Sequence, residues 1–131
     1  MQFLLDTNVC VGYLRGDARV VGRLAAEDIM RCAISVITVA ELTYGAELAR
    51  DPVAAATLVR GFVAPLQEYP LAPVIPEYAR QKARLRRSGQ IIEDFDLLIG
   101  ATAVVYGLTL VTNNTKHLGR LDGTALADWT V

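Results

Sequence analysis

Apolar residues occur along the chain in two patterns. Short unbroken runs lie at QFLL (residues 2–5), CAISV (32–36) and LTLVT (108–112). Between them lie longer stretches in which apolar and polar residues mix at helical spacing. The runs read as short buried strands and the longer stretches as helices over residues 9–15, 18–28, 38–49, 53–64, 76–87 and 94–106. Asp51-Pro52 marks a break, with Pro52 suited to a first helical turn. Pro65, Pro70 and Pro73 punctuate a connection that holds a short strand near 68–71. Ser88-Gly89 stops one helix and Gly107 the next, Asn113-Asn114 forms a polar turn, and a last strand is expected near 125–129. Buried strands alternating with helices predict an α/β fold, a central parallel sheet with helices on both faces.

Such a sheet binds ligands beyond the carboxyl ends of its strands. Asp6 stands directly after the first strand, Glu41 is early in the third helix, and Asp96 is in the first turn of a helix apolar on nearly all sides (LLIGATAVVYG). Each acid also has a capping reading. Asp6 can cap the helix behind it, Thr38-Val-Ala-Glu41 matches a capping box, and Asp94 and Asp96 suit the positive end of a helix. These are the positions that a parallel sheet gathers along one edge, so Asp6, Glu41 and Asp96 are expected to converge. Carboxylates held together repel, and a proton or a hard cation must relieve that. Oxygen ligands without a Cys or His cluster favour Mg²⁺ or Mn²⁺ over Zn²⁺.

Length and charge narrow the choices. A chain of 131 residues has the size of one domain, residues 1–131. At 53% apolar residues it can build a core, yet no run reaches a membrane span and no leader-like segment opens it. A cytoplasmic protein without membrane contact is the expectation. Cys10 and Cys32 show no metal or redox spacing and read as buried thiols. A net charge of −1 leaves polyanion binding to local patches. Arg80, Arg84 and Arg87 share a helix face and are candidate phosphate contacts, and Lys116, close after Asn114, is a further candidate. The alternative is a solvated face. His117 reads first as a surface residue, then as a nucleic-acid contact, and Tyr13, Tyr44 and Tyr106 as core before stacking platforms.

Four segments in order, LLDTN (4–8), SVITVAELTYGA (35–46), EDFDLLIGATA (93–103) and LTLVTNN (108–114), resemble the PIN domain, and more closely the VapC toxins of bacterial toxin–antitoxin modules. The resemblance covers nearly the whole chain. It implies a Mg²⁺-dependent endoribonuclease acting on structured RNA such as tRNA. Asp6 and Asp96 would ligate the metal, Glu41, the third acid, would hold a second metal or orient the attacking water, and Thr7, Asp94 and Asn114 would line the site. Glu93 stands where relatives often carry Gly, and Asn114 where many carry a fourth acid. The resemblance further implies a cognate VapB-type antitoxin, a homodimer, and operator DNA bound only through the antitoxin. Two other readings compete. An inactive PIN-like binding module would account for the neutral Asn114. A haloacid-dehalogenase-type phosphotransferase would need an acid at position 8, where the chain has Asn8.

Overall fold

A computed structural model describes residues 2–131. Its sheet has the strands β1 (Phe3–Leu5), β2 (Cys32–Ile34), β3 (Gln67–Glu68), β4 (Thr109–Val111) and β5 (Ala125–Ala127), all parallel, in the order β3-β2-β1-β4-β5. Leu4 lies in register with Ala33 and Leu110, and Leu5 with Ile34 and Val111. The strand period of two sends these rows to opposite faces.

Leu5, Ile34 and Val111 face α1 (Thr7–Leu14), α2 (Ala18–Ala26), α3 (Val36–Glu47) and α4 (Pro52–Val63), whose Val9, Val20, Leu42 and Phe62 complete one core. Leu4, Ala33 and Leu110 face α5 (Ile75–Arg87), α6 (Asp94–Tyr106) and the short α7 (Thr115–Leu118), which supply Leu85, Leu97, Ile99 and Leu118. The three central strands are buried on both sides, which is why they read as unbroken apolar runs. Truncating a side chain such as Leu110, 0% exposed, to Ala costs about 2–5 kcal/mol.

The expected elements are present, with ends displaced by a residue or two, as frayed termini allow. Gly107 ends α6 in the left-handed conformation at φ 67°. The edge strand β3 is two exposed residues, 67–68, at the start of the stretch expected to pair. The chain also forms a 3-10 turn over Ile29–Arg31, a second over Ala72–Val74, and α7 directly after the Asn113-Asn114 turn. These pieces are too short to carry a periodic signal. Cys10 and Cys32 are buried and unbridged, as expected. Tyr13 stacks on Phe62 at 4.9 Å, and Tyr106 packs on Tyr69 at 4.5 Å. Tyr44 is a correction: it is 66% exposed on the outer side of α3 and joins neither core.

The order of the strands fixes where a ligand can enter. The chain winds outward from β1 through β2 to β3, then crosses back to lay β4 on the other side of β1. The connections after β1 and β4 therefore diverge and leave a crevice at the carboxyl ends of those two strands.

Candidate active site at the switch point

Asp6 occupies that crevice. Its N–H donates to Val111 O at 2.9 Å, so the backbone still follows β4 where β1 ends. It caps α1, with Oδ1 accepting from Thr7 N at 2.8 Å, as the capping reading expects. Oδ2 accepts from the Thr112 hydroxyl, just past β4, at 2.7 Å. Asp6 is only 2% exposed. Burial pushes its carboxyl above the ordinary value, and the hydrogen bonds from Thr112 and Thr7 oppose that rise. Capping leaves room for a second role, because each carboxylate oxygen keeps a second lone pair.

Glu41 reaches the site from α3. The capping-box reading is overturned: α3 starts at Val36, and Ser35 is the cap, its Oγ accepting from Ile37 N at 3.1 Å. Thr38 and Glu41 therefore lie inside the helix, one turn apart. Thr7 Oγ1 donates to Glu41 Oε1 at 2.6 Å, and Thr38 Oγ1 lies 2.9 Å from Thr7 Oγ1. Since the Thr7 proton goes to Glu41, Thr38 is the donor to Thr7. This relay ties α1 to α3 and sets the Glu41 carboxylate.

Asp96 is half-buried in the first turn of α6. Its carboxyl is raised by burial first, then by the negative charges of Asp6, Glu41 and Glu93, while His117 opposes the shift. Asp6, Glu41 and Asp96, 90 positions apart at the extremes of sequence, thus share one electrostatic neighbourhood. An open cleft lined by Glu41, Lys82, Ile91, Glu93, Phe95 and Asp96 leads to it.

The remaining candidates separate. Asp94 lines the cleft but is neutralised there: its Oδ1 accepts from Tyr78 Oη and from Lys82 Nζ, both at 2.8 Å. Those two donors hold its carboxyl below the ordinary value, and its role is to tie α6 to α5 rather than to cap. Asn114 turns its side-chain oxygen to His117 Nδ1 at 2.8 Å, and its N–H donates to Thr112 Oγ1 at 3.0 Å. Arg80 is bound to Glu77 at 2.7 Å and lies 3.6 Å from Asp122. Arg84 Nε lies 3.0 Å from Asp122, and its Nη2 donates to Arg120 O at 2.6 Å. Arg87 and Lys116 are exposed, and among the described residues neither has an acidic partner. Sequence reasoning missed Thr112, Thr38 and the Tyr78–Lys82 pair. A polar residue immediately after an apolar strand was the available signal for Thr112, the same signal that marked Asp6.

The donor set suits a hard cation. Asp6 and Asp96 are both held above their ordinary values by burial, and Asp96 also by the neighbouring carboxylates, so a bound positive charge relieves the site. Among the described residues, no three His, Cys, Asp or Glu side chains close tightly enough to enclose an ion unaided.

Comparison with known proteins agrees with this geometry. A model of the PIN domain matches residues 3–123, and the chain belongs to the PIN-domain family. The tRNA(fMet)-specific endonuclease VapC of Shigella flexneri is 31% identical over 130 residues, 98% of each chain. The protein of the same name from Salmonella typhimurium is 31% identical over 131 residues, again 98% of each. The structure of DNA-bound VapBC from Salmonella typhimurium aligns with a TM-score of 0.92 at 30% identity, covering 98% of both chains. VapBC2 of Rickettsia felis bound to a promoter DNA fragment gives 0.89 at 30% identity, covering 98% of this chain and 99% of that one. Within the PIN domains, the chain's place is therefore among the VapC ribonucleases.

Proposed function

We propose that the protein is a Mg²⁺-dependent endoribonuclease toxin that hydrolyses phosphodiester bonds in structured RNA such as tRNA, and that a VapB-type antitoxin restrains it. The observation that carries this reading is that Asp6, Glu41 and Asp96 act on one another at the switch point while, among the described residues, no lysine or arginine is bound to any of them. Asp6 and Asp96 would hold the cation, for which Mn²⁺ is a fitting substitute. When bound, the cation lowers the pKa of a coordinated water and offsets charge on the scissile phosphate.

The chain's own residues do the rest. Thr112 and the Thr7 amide fix the Asp6 carboxylate, so its free lone pairs stay aimed into the crevice. The Thr38–Thr7 relay fixes Glu41, which orients the attacking water. Lys82 compensates Asp94 at the cleft wall, which limits the negative charge that the RNA meets. Arg87 and Lys116 serve as backbone contacts, while Arg80 and Arg84 contribute less because Glu77 and Asp122 offset them. A cytoplasmic homodimer that meets operator DNA only through the antitoxin completes the proposal. It draws support from the relatives solved as VapBC complexes with DNA.

The test uses antitoxin-free protein incubated with total RNA and Mg²⁺, followed by sequencing of the new ends. Asp6→Asn and Asp96→Asn are expected to reduce cleavage to background while circular dichroism keeps the helical signal. Full activity in either variant would overturn the assignment.

A further inference from the structure

Carboxylates that gather a cation repel RNA by themselves, so the substrate must be held by neighbouring groups of another kind. A second cleft abuts the switch point between α1, α2 and the end of β4. Asn8, Gly12, Arg15, Asp17, Asn113 and Thr130 line it. Asn8 is two positions past Asp6, and Asn113 directly follows Thr112, whose hydroxyl holds the Asp6 carboxylate.

The hydrogen-bond pattern divides the lining of this cleft in two. Asp17 is satisfied, accepting from Arg19 N at 3.0 Å and pairing with the Arg19 guanidinium at 3.6 Å. Thr130 is satisfied by Asp128, with its N–H at 2.8 Å and its hydroxyl at 2.5 Å from Oδ1. Asn8, Asn113 and Arg15 are exposed, and their side chains have no intramolecular partner among the described residues. Arg19, Arg31, Arg80 and Arg84 each pair with an acid, whereas Arg15, like Arg87, has no acidic partner among the described residues. Two amides and one guanidinium thus face the same cleft beside the catalytic acid with their hydrogen-bonding capacity unspent.

We infer that this cleft holds one nucleotide of the RNA next to the cleavage point, its base edge read by Asn8 and Asn113 and its phosphate bound by Arg15. The inference rests on the ribonuclease reading and deepens it. An amide presents a donor and an acceptor together, which is what the edge of an unstacked base requires. Arginine matches a phosphate with two parallel donors. The acids then perform the chemistry, and the amide cleft fixes which linkage reaches them.

The binding arm of the test uses a short labelled single-stranded RNA and the Asp96→Asn protein, which binds without cleaving, at several salt concentrations. Adding Arg15→Gln is expected to weaken binding about fivefold to tenfold and to flatten the log K against log salt slope by about 0.7. Arg15→Lys should restore the slope. In the cleaving protein, Asn8→Ala with Asn113→Ala should broaden the cleavage-position profile at the one nucleotide lodged in the cleft. An unchanged affinity and slope in Arg15→Gln, or no RNA binding at all in the Asp96→Asn protein, overturns the inference. So does an unaltered cleavage profile in the double asparagine variant. If the unmutated protein binds RNA and cleaves none, the proposed activity fails, and the binding arm still decides the role of the cleft.

Discussion

Thr112→Val isolates the contact that holds Asp6. Valine keeps the shape of a side chain that is 0% exposed, but it removes the hydroxyl that donates to Asp6 Oδ2 at 2.7 Å and accepts from Asn114 N at 3.0 Å. A hydrogen bond to a charged group contributes about 1.5–3 kcal/mol. The added cost of the stranded Asn114 amide is partly offset by the methyl gained, so a net loss of about 2–3 kcal/mol is expected. For a chain of this length, each kcal/mol moves Tm by about 3–5 °C, and the variant should melt about 10 °C lower in chelator near pH 7.

The pH dependence distinguishes this cause from simple repacking. Burial already raises the folded-state pKa of Asp6, and the Thr112 hydroxyl pulls it back. Without the hydroxyl it rises further. For an acid whose folded pKa lies above its unfolded one, the destabilisation is complete above the folded pKa and vanishes below the unfolded pKa. The gap between wild type and Thr112→Val is therefore widest near neutrality and narrows as pH falls through the raised Asp6 pKa toward about pH 4. Thr112→Ser keeps the hydroxyl and loses one buried methyl, a cost of about 1 kcal/mol that should not vary with pH. Chemical denaturation of the three proteins across this range is the assay. A Val variant as stable as wild type, or a loss equal at both ends of the range, refutes the reasoning.

Divalent cation at a hundred times its dissociation constant should stabilise the protein by about 2.7 kcal/mol, and Asp96→Asn should abolish most of that gain in thermal melts. In chelator, Asp96→Asn should melt above wild type, because it removes a charge repelled by Asp6 and Glu41; a lower Tm would speak against that repulsion. Gly100→Ala should cost about 1–3 kcal/mol in denaturant titrations, because a Cβ there meets Leu121 Cδ1 and lies 3.4 Å from Leu118 Cδ2 in the core under α6.

The sequence made the sheet legible because its central strands are buried on both faces, and such strands advertise themselves as unbroken apolar runs. Asp6 and Asp96 were visible for a related reason: an acid at the end of a buried run, or at the start of a buried helix, demands an account. The fine structure was less accessible. Nothing local distinguishes Thr38 as a cap from Thr38 as a buried relay donor to Thr7, since the choice depends on where α3 begins and Ser35 competes for that role. The basic helix failed differently. The spacing of Arg80, Arg84 and Arg87 does place them on one face, but Asp122 sits 38 residues beyond Arg84 in sequence and 3.0 Å from it in space. Long-range pairing of this kind turns two of the three arginines from free charge into a latch for the segment after α7.

That pairing also sorts the acids by purpose. Glu77, Asp94 and Asp122 each meet a lysine or arginine at 3.0 Å or less, and Asp17 meets one at 3.6 Å. Asp6 and Glu41 meet hydroxyls and backbone amides instead, and Asp96 meets other carboxylates through space. A hydroxyl orients a carboxylate without cancelling its charge. Asp28, Asp51 and Asp128 also accept only from amides or a hydroxyl, but each closes a single cap or turn, whereas at the crevice where β1 and β4 part three acids act on one another. Folding opposes such an arrangement, and the two apolar clusters that clamp the sheet from either face must outweigh it. Under the proposed function, the same charge would draw an external cation there rather than beside Asp94 or Asp122, where a protein cation is already in place.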